Sequence, residues 1–277
     1  MGGKTSIEWT AGDDGSVGAT WSTLRGCSWA SQEECQNCYA MTIAARFSGP
    51  GLPFEGVAKQ TVRGPRWTGK VKTLPESLDV PLHWKRPRRV FVNSMADTFH
   101  QKVPFEFIDR MFDTMRRCPR HTFMLLTKRA TRMAIYAEQA RWNAPDYDRL
   151  PPGNVWWGTS VGHPDFKSRI DELRRVESAA VRFLSLEPLV ADLGELDLRG
   201  IHWVIAGGES GHGARPLDLE WLRSIRNQTH AAGGKFFLKQ MGSAWTRGRG
   251  VRTKGGDPDT WPDDLRIRDF PRVLPNR

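Results

Sequence analysis

From residue 89 onward, short apolar runs recur: Val90-Phe91-Val92, Phe123-Met124-Leu125-Leu126, Val155-Trp156-Trp157, Val181-Arg182-Phe183-Leu184, Trp203-Val204-Ile205-Ala206 and Lys235-Phe236-Phe237-Leu238. They come at intervals of roughly 20 to 35 residues, the spacing of strands separated by helices. Between them the period changes. After Pro104, Phe105, Ile108, Met111, Phe112 and Met115 make one helical face. Ile170, Leu173 and Val176 repeat that spacing, and Leu219, Leu222 and Ile225 repeat it again before Gly233-Gly234 closes the helix. Such alternation predicts an α/β fold with a parallel sheet. With one more strand near Thr20–Leu24 the count is about seven, which suits a partial or full (β/α) barrel of about six to eight strands. A doubly wound sheet is the alternative.

The first third is less regular. Residues 1–18 are polar and glycine-rich and read as a poorly ordered lead-in. Tyr39 to Phe47 is alanine-rich and predicts a helix, stopped by Ser48-Gly49-Pro50-Gly51. Residues 48–88 read as a basic insertion in a single domain spanning 1–277, with a short helix between Pro75 and Trp84. Each strand from Val90 onward runs into polar residues: Asn93-Ser94 with Asp97, Thr127-Lys128, Thr159-Ser160, Ser185 with Glu187, Gly207-Gly208-Glu209-Ser210, and Lys239-Gln240. In a (β/α) barrel those ends surround one mouth, where active sites lie.

Charge adds a partner class. The net charge is +10 and the pI about 9.8. Nine cations between Lys59 and Arg89 face Glu76 and Asp79 alone. Further groups are Arg116, Arg117 and Arg120, and Arg247, Arg249, Arg252 and Lys254. Trp67, Trp84 and Trp245 stand beside these groups, where bases could stack, so nucleic acid is the candidate partner and a solubilising surface the plain alternative. No apolar run reaches about 18 residues, so no membrane partner is expected. The N-terminus lacks the apolar core of a signal peptide, and the expected setting is cytoplasmic, where thiols stay reduced.

The strongest chemical signal is a cysteine cluster. Cys27, Cys35 and Cys38 fall within a dozen positions after the first candidate strand, the last two as C-x-x-C. Three thiolates are one short of a closed tetrahedral zinc site, leaving zinc with a distant histidine or Cys118 as one reading. A [4Fe–4S] cluster on three cysteines, with one iron open, is the other. Cys118, before Pro119, reads as structural. The seven histidines are scattered and no H-E-x-x-H occurs, which gives a metal hydrolase little support. Gly207-Gly208-Glu209-Ser210-Gly211 lacks the Lys-Ser/Thr ending of a phosphate loop.

These segments resemble the phage Gp37/Gp68 family: Gly26-Cys27 and Cys35-Gln36-Asn37-Cys38-Tyr39-Ala40; Phe91 to Asp97; Leu125 to Arg129; Val155 to Val161; Phe183 to Leu189; Gly207 to Gly211 with Ala214-Arg215-Pro216; and Phe237 to Gly242. The wider resemblance is to radical S-adenosylmethionine (SAM) enzymes, in which three cysteines follow the first strand of a partial barrel. The gap of seven residues between Cys27 and Cys35 departs from the usual three. The resemblance implies that Cys27, Cys35 and Cys38 ligate a [4Fe–4S] cluster whose open iron takes SAM, and that an electron donor is required. It implies that Gly207, Gly208, Glu209 and Ser210 face the SAM amino group, and that Lys128, Ser160 or Lys239 binds its carboxylate or the substrate. Asn93, Ser94 and Glu187 complete the candidate binding set by position. The expected substrate class is nucleic acid or nucleotides. The alternative is a non-enzymatic iron–sulfur or zinc protein of phage origin that binds nucleic acid. Oligomeric state is left open.

Overall fold

In the computed structural model, which describes residues 2–12, 14–140 and 152–271, the apolar runs become neighbouring strands. The strands are β1 (Gly2–Lys4), β2 (Ala19–Trp21), β3 (Leu24–Arg25), β4 (Ala58–Thr61), β5 (Gly64–Trp67), β6 (Lys72–Thr73), β7 (Arg89–Val92), β8 (Thr122–Thr127), β9 (Val155–Ser160), β10 (Val181–Leu186), β11 (Trp203–Gly207) and β12 (Lys235–Gln240). The helices are α1 (Gln32–Cys35), α2 (Tyr39–Arg46), α3 (Phe105–Arg117), α4 (Ala130–Gln139), α5 (Ser168–Arg174), α6 (Leu219–Ala231) and α7 (Ser243–Arg247). The main sheet has eight strands in the order β1-β2-β7-β8-β9-β10-β11-β12. Pairing is parallel from β2 to β12, with β1 antiparallel at the edge.

Both faces of the sheet are apolar, as expected where helices cover a parallel sheet. Val90, Phe123, Leu125, Trp157, Leu184, Val204 and Phe236 face outward and pack with Ile108, Met111, Phe112 and Leu222 of the helices. The alternate residues Phe91, Met124, Trp156, Phe183, Trp203, Ile205 and Phe237 gather on the inside around Trp9. The Trp9 ring lies 4.6 Å from that of Phe91 on β7 and 6.3 Å from that of Trp203 on β11. In a flat sheet those strands would be four spacings of about 4.8 Å apart, so one ring could not touch both. The sheet is therefore curled into a partial (β/α) barrel. Gly158 makes room inside it: a Cβ there would lie 2.4 Å from the Phe183 ring.

Trp9 corrects one expectation. Residues 1–18 are not a loose lead-in: β1 extends the sheet and Trp9 is buried. (Met1 and Asp13 of that segment lie outside the described residues.) The segment sits in the gap between β12 and the first strands, tied by Lys254 Nζ to Glu8 Oε1 at 2.6 Å and Arg89 Nη1 to the Ala11 carbonyl at 2.5 Å. The insertion is also more ordered than its composition suggests. β4 and β5 form a hairpin packed on α2 through Ala44, Ala45, Ala58 and Trp67, and β6 pairs with β3. Between Pro75 and Trp84 two 3-10 turns replace the expected helix.

Candidate active site at the barrel mouth

Period-two alternation that places apolar rings inside the barrel continues past the strand ends, where the chain turns polar. Phe91 is followed two positions on by Asn93, Leu126 by Lys128, Phe183 by Ser185 and Glu187, Ile205 by Gly207 and Glu209, and Phe237 by Lys239. A cavity of about 400 Å³ opens there, with Trp9 and Phe91 in its wall. Of the residues singled out from sequence, Cys27, Cys35, Cys38, Asn93, Ser94, Lys128, Ser160, Glu187, Gly208, Glu209, Ser210 and Lys239 line it. Gly207 does not; it belongs to β11, against Gln240.

The three thiols are free and half-buried. Gly26 delivers the chain to Cys27 with φ +92°, and a Cβ there would lie 2.2 Å from the Lys70 carbonyl, so glycine is required. Burial, and then the Asp97 carboxylate, push the Cys27 thiol up to about 12 against the opposing pull of Arg129. Burial also raises Cys38, while the Met41 amide and the Lys128 ammonium favour its thiolate. Lys128 has no ion pair or hydrogen bond from its ammonium among the described residues, which leaves one cation available inside the cavity. No group of three His, Cys, Asp or Glu side chains closes on a single point among the described residues.

What holds the cysteine loop is a set of side chains from the surrounding strand ends. After β8, Arg129 bonds Asp97 Oδ2 at 2.9 Å, the Ser28 carbonyl at 2.9 Å and Ser28 Oγ at 3.0 Å. His100 Nδ1 accepts from the Lys102 amide, so Nε2 carries the proton and donates to Ser28 Oγ at 2.8 Å. Burial, reinforced by Arg129, lowers the His100 pKa to about 4 and keeps the ring neutral. The Glu34 side chain is fully buried, accepting from Gly162 N at 2.7 Å and Arg169 Nη1 at 2.6 Å after β9. Near β11, Glu209 accepts from Arg215 Nη2 at 2.6 Å and from Asn37 Nδ2 at 3.1 Å, and Arg215 also reaches the Glu33 carbonyl. Burial pushes the Glu209 pKa up, but the hydrogen bonds from Arg215 and Asn37 outweigh it and hold the carboxyl below its usual range. Tyr39 donates to the Ser94 carbonyl at 2.7 Å, beyond β7.

Several candidates also take part in this network. Glu209 lines the cavity and holds the loop. Gly208 is glycine because a Cβ would lie 2.3 Å from the Met241 carbonyl. Asn93, at φ +55°, uses its amide on Thr23 and Thr98 to join β2 to β7. Glu187 and Lys239 pair with each other at 2.8 Å in the cavity wall. Glu34, Asn37, Arg129, Arg169 and Arg215 were not singled out from sequence as site residues. One of them had a readable signal: Ser31-x-x-Glu34 is a capping box, with Ser31 Oγ accepting from the Glu34 amide. Asn37, Arg129 and Arg215 stand inside the resembling segments but with no role attached, and Arg169 carries no signal in the sequence.

The basic segment does not act as one surface. Lys59, Arg66 and Lys70 belong to the excursion beside the mouth, where the Arg66 guanidinium lies 5.5 Å over the Trp29 ring and Trp29 and Trp67 line the cavity. Lys85 to Arg89 lead into the start of β7, at the opposite end of the sheet. There Arg88 covers Trp84, Trp84 packs edge-on against His121, and Arg89 covers Phe270. Trp84, expected as a stacking platform, is thus packed on the outer core. Cys118 is buried, in keeping with a structural role.

Fold and site together define a partial (β/α) barrel with a thiol-lined mouth. The chain belongs to the DUF5131 family, described as a protein of unknown function, which it matches over residues 4–261. No curated protein matches it. Among solved structures, a cysteine-to-serine variant of spore photoproduct lyase is similar at 11% identity and a TM-score of 0.40, over 76% of this chain and 60% of that one. A second variant of that lyase, with bound AdoMet and dinucleoside spore photoproduct, is similar at 10% identity and a TM-score of 0.41, over 82% of this chain and 63% of that one. The chain thus spans a little over three fifths of the length of those chains at most. No described helix is long and apolar enough to cross a membrane.

Proposed function

We propose that the chain is an iron–sulfur enzyme of radical-SAM type, a member of the Gp37/Gp68 group working in a reducing cytoplasm on nucleic acid or nucleotides. One observation carries the reading: three free thiols and a lysine unpaired among the described residues stand in the wall of one cavity, ringed by the C-terminal ends of a parallel barrel. Cys27, Cys35 and Cys38, which line one cavity without closing on a single point, would draw together around a [4Fe–4S] cluster, for which three thiolates are a fitting set. When bound, that cluster supplies the electron that cleaves a carbon–sulfur bond of SAM. Lys128 offsets the negative charge of the Cys38 thiolate and offers a cation to a carboxylate. Ser160 and Ser185 offer hydroxyls in the same cavity wall, and the Glu187–Lys239 pair presents both signs of charge to an amino acid headgroup. Trp9 and Phe91 exclude water below. At the mouth, Trp29 and Trp67 offer ring faces to a base and Lys59 and Lys70 offer charge to phosphates.

Anaerobic purification with iron, sulfide and zinc analysis tests the cluster. The expected result is a brown protein with four irons whose spectrum disappears when any one of Cys27, Cys35 or Cys38 is replaced by Ala and persists in Cys118→Ala. Stoichiometric zinc without iron or sulfide after reconstitution would overturn it and favour a non-enzymatic zinc protein. SAM should alter the electron paramagnetic resonance of the reduced cluster and yield 5′-deoxyadenosine.

A further inference from the structure

Two buried charges of opposite sign stand beside Cys27. A parallel bridge between Gly26 and Ala96 sets two segments side by side, and the next residues along them are Cys27 and Asp97. Asp97 Oδ2 accepts from Arg129 Nη1 at 2.9 Å. Nη2 of the same guanidinium donates to the Ser28 carbonyl, also at 2.9 Å. The Cys27 thiol lies 3.3 Å from that carbonyl oxygen, so sulfur and guanidinium flank one acceptor. A planar, forked guanidinium can serve the carboxylate and the loop at once. The Arg129 and Asp97 side chains are only 13% and 10% exposed, which leaves little solvent to screen them. Asp97 is also held by the Thr127 hydroxyl at 2.7 Å and the Phe99 amide at 2.9 Å, two neutral donors that do not depend on Arg129.

Position and sign give the pair a task. Reducing an iron–sulfur cluster adds negative charge, and its potential follows the local charge, the hydrogen bonds to sulfur and the burial. A cation beside a ligating thiolate favours the reduced state, and a carboxylate opposes it. The two groups already act on Cys27 in opposite senses: Arg129 favours the thiolate and Asp97 the neutral thiol.

Resting on the reading above, we propose that Arg129 and Asp97 are positioning residues that set the reduction potential of a cluster on Cys27, Cys35 and Cys38. The guanidinium raises that potential, and its carboxylate partner holds the rise in check. The step they govern is the gain of one electron by the cluster; an external one-electron reductant loses it, and no bond or proton moves.

The test is a redox titration of anaerobic, cluster-bearing protein at constant pH, with dithionite as reductant and electron paramagnetic resonance as readout. In Arg129→Gln the ratio of reduced to oxidised cluster at a given potential should fall about tenfold, a shift of about 59 mV to more negative values. Asp97→Asn should move it about as far in the positive direction. The double variant, which leaves neither charge unpaired, should return close to wild type. Arg129→Lys, with the charge but not the fork, should fall between wild type and Arg129→Gln. Should Arg129→Gln fail to fold, Asp97→Asn and the double variant still read the signs. Loosening of the cysteine loop alone would move both single variants the same way, and that result, or unmoved potentials, would overturn the proposal. Wild-type protein without a cluster sinks the functional reading and this inference together, whereas a cluster whose potential ignores both charges sinks the inference alone.

Discussion

Glu34 shows how much one side chain contributes to the mouth. Its fully buried carboxylate bridges the cysteine loop to Gly162 and Arg169. Glu34→Gln leaves the Arg169 guanidinium, 11% exposed, without its counter-charge. Removing one partner of a buried pair costs about 3–5 kcal/mol, and urea unfolding of the variant should show a loss of that size. Glu209 makes a pH prediction. Its folded pKa lies below the ordinary 4.5 because the bonds from Arg215 and Asn37 outweigh burial. The unfolded chain therefore takes up the proton first. The associated stability is complete above about pH 4.5 and fades as pH falls toward the folded value. Chemical denaturation between pH 7 and pH 3 should show wild type losing stability more steeply than Glu209→Gln below that point; parallel curves would refute the linkage. Neither structural role was legible in the sequence, because Gly162 and Arg169, or Arg215 and Asn37, meet these carboxylates only where the fold brings them together.

At the scale of elements, the parallel strands were legible because each is apolar on both faces and bounded by polar residues. Trp156 fills the barrel while Trp157 packs on the helices, and both kinds of burial leave the same hydrophobic run. The β4–β5 hairpin was not legible. Lys59-Gln60-Thr61 is polar, and its order comes from the Ala58 and Trp67 side chains packing against two alanines of α2. Gly158 gives an element-scale test. Gly158→Ala puts a methyl group 2.4 Å from the Phe183 ring inside a filled barrel. Overpacking of this kind costs about 1–3 kcal/mol, to be read as a lower urea midpoint. Phe183→Leu in the same chain should recover part of the loss, because the clash is with that ring.

For the whole molecule, the distribution of charge matters more than its total. The net charge of +10 suggested one nucleic-acid surface from Lys59 to Arg89. Folding sends Lys59, Lys70 and Lys72 to the side of the mouth and Lys85 and Arg86 to the opposite end of the sheet. If a single strand enters at the mouth, replacing Lys59, Lys70 and Lys72 by Ala should reduce the log–log salt slope by up to about 0.7 per lost phosphate contact. Replacing Lys85 and Arg86 should leave the slope unchanged. Equal slopes in the two variants would show that the mouth cations do not meet phosphate. The lead-in was misread for a related reason. Ile7 and Trp9 are isolated apolar residues in a polar stretch, and only closure of the barrel gives them a core to enter.

The cysteine loop is fastened by Arg129, Glu34, Asn37, Arg215 and Tyr39, none of which is a proposed metal ligand. Small zinc modules are the contrasting case, because metal binding is what folds them. Here the loop is held by contacts within the protein. If the proposed cluster forms there, its loss to oxygen would be an injury that the cell can repair by rebuilding it in place, without sending the chain to a chaperone or a protease. Metal-free and reconstituted protein should accordingly melt within a few degrees of each other, and repeated cycles of bleaching and reconstitution should return the same folded molecule.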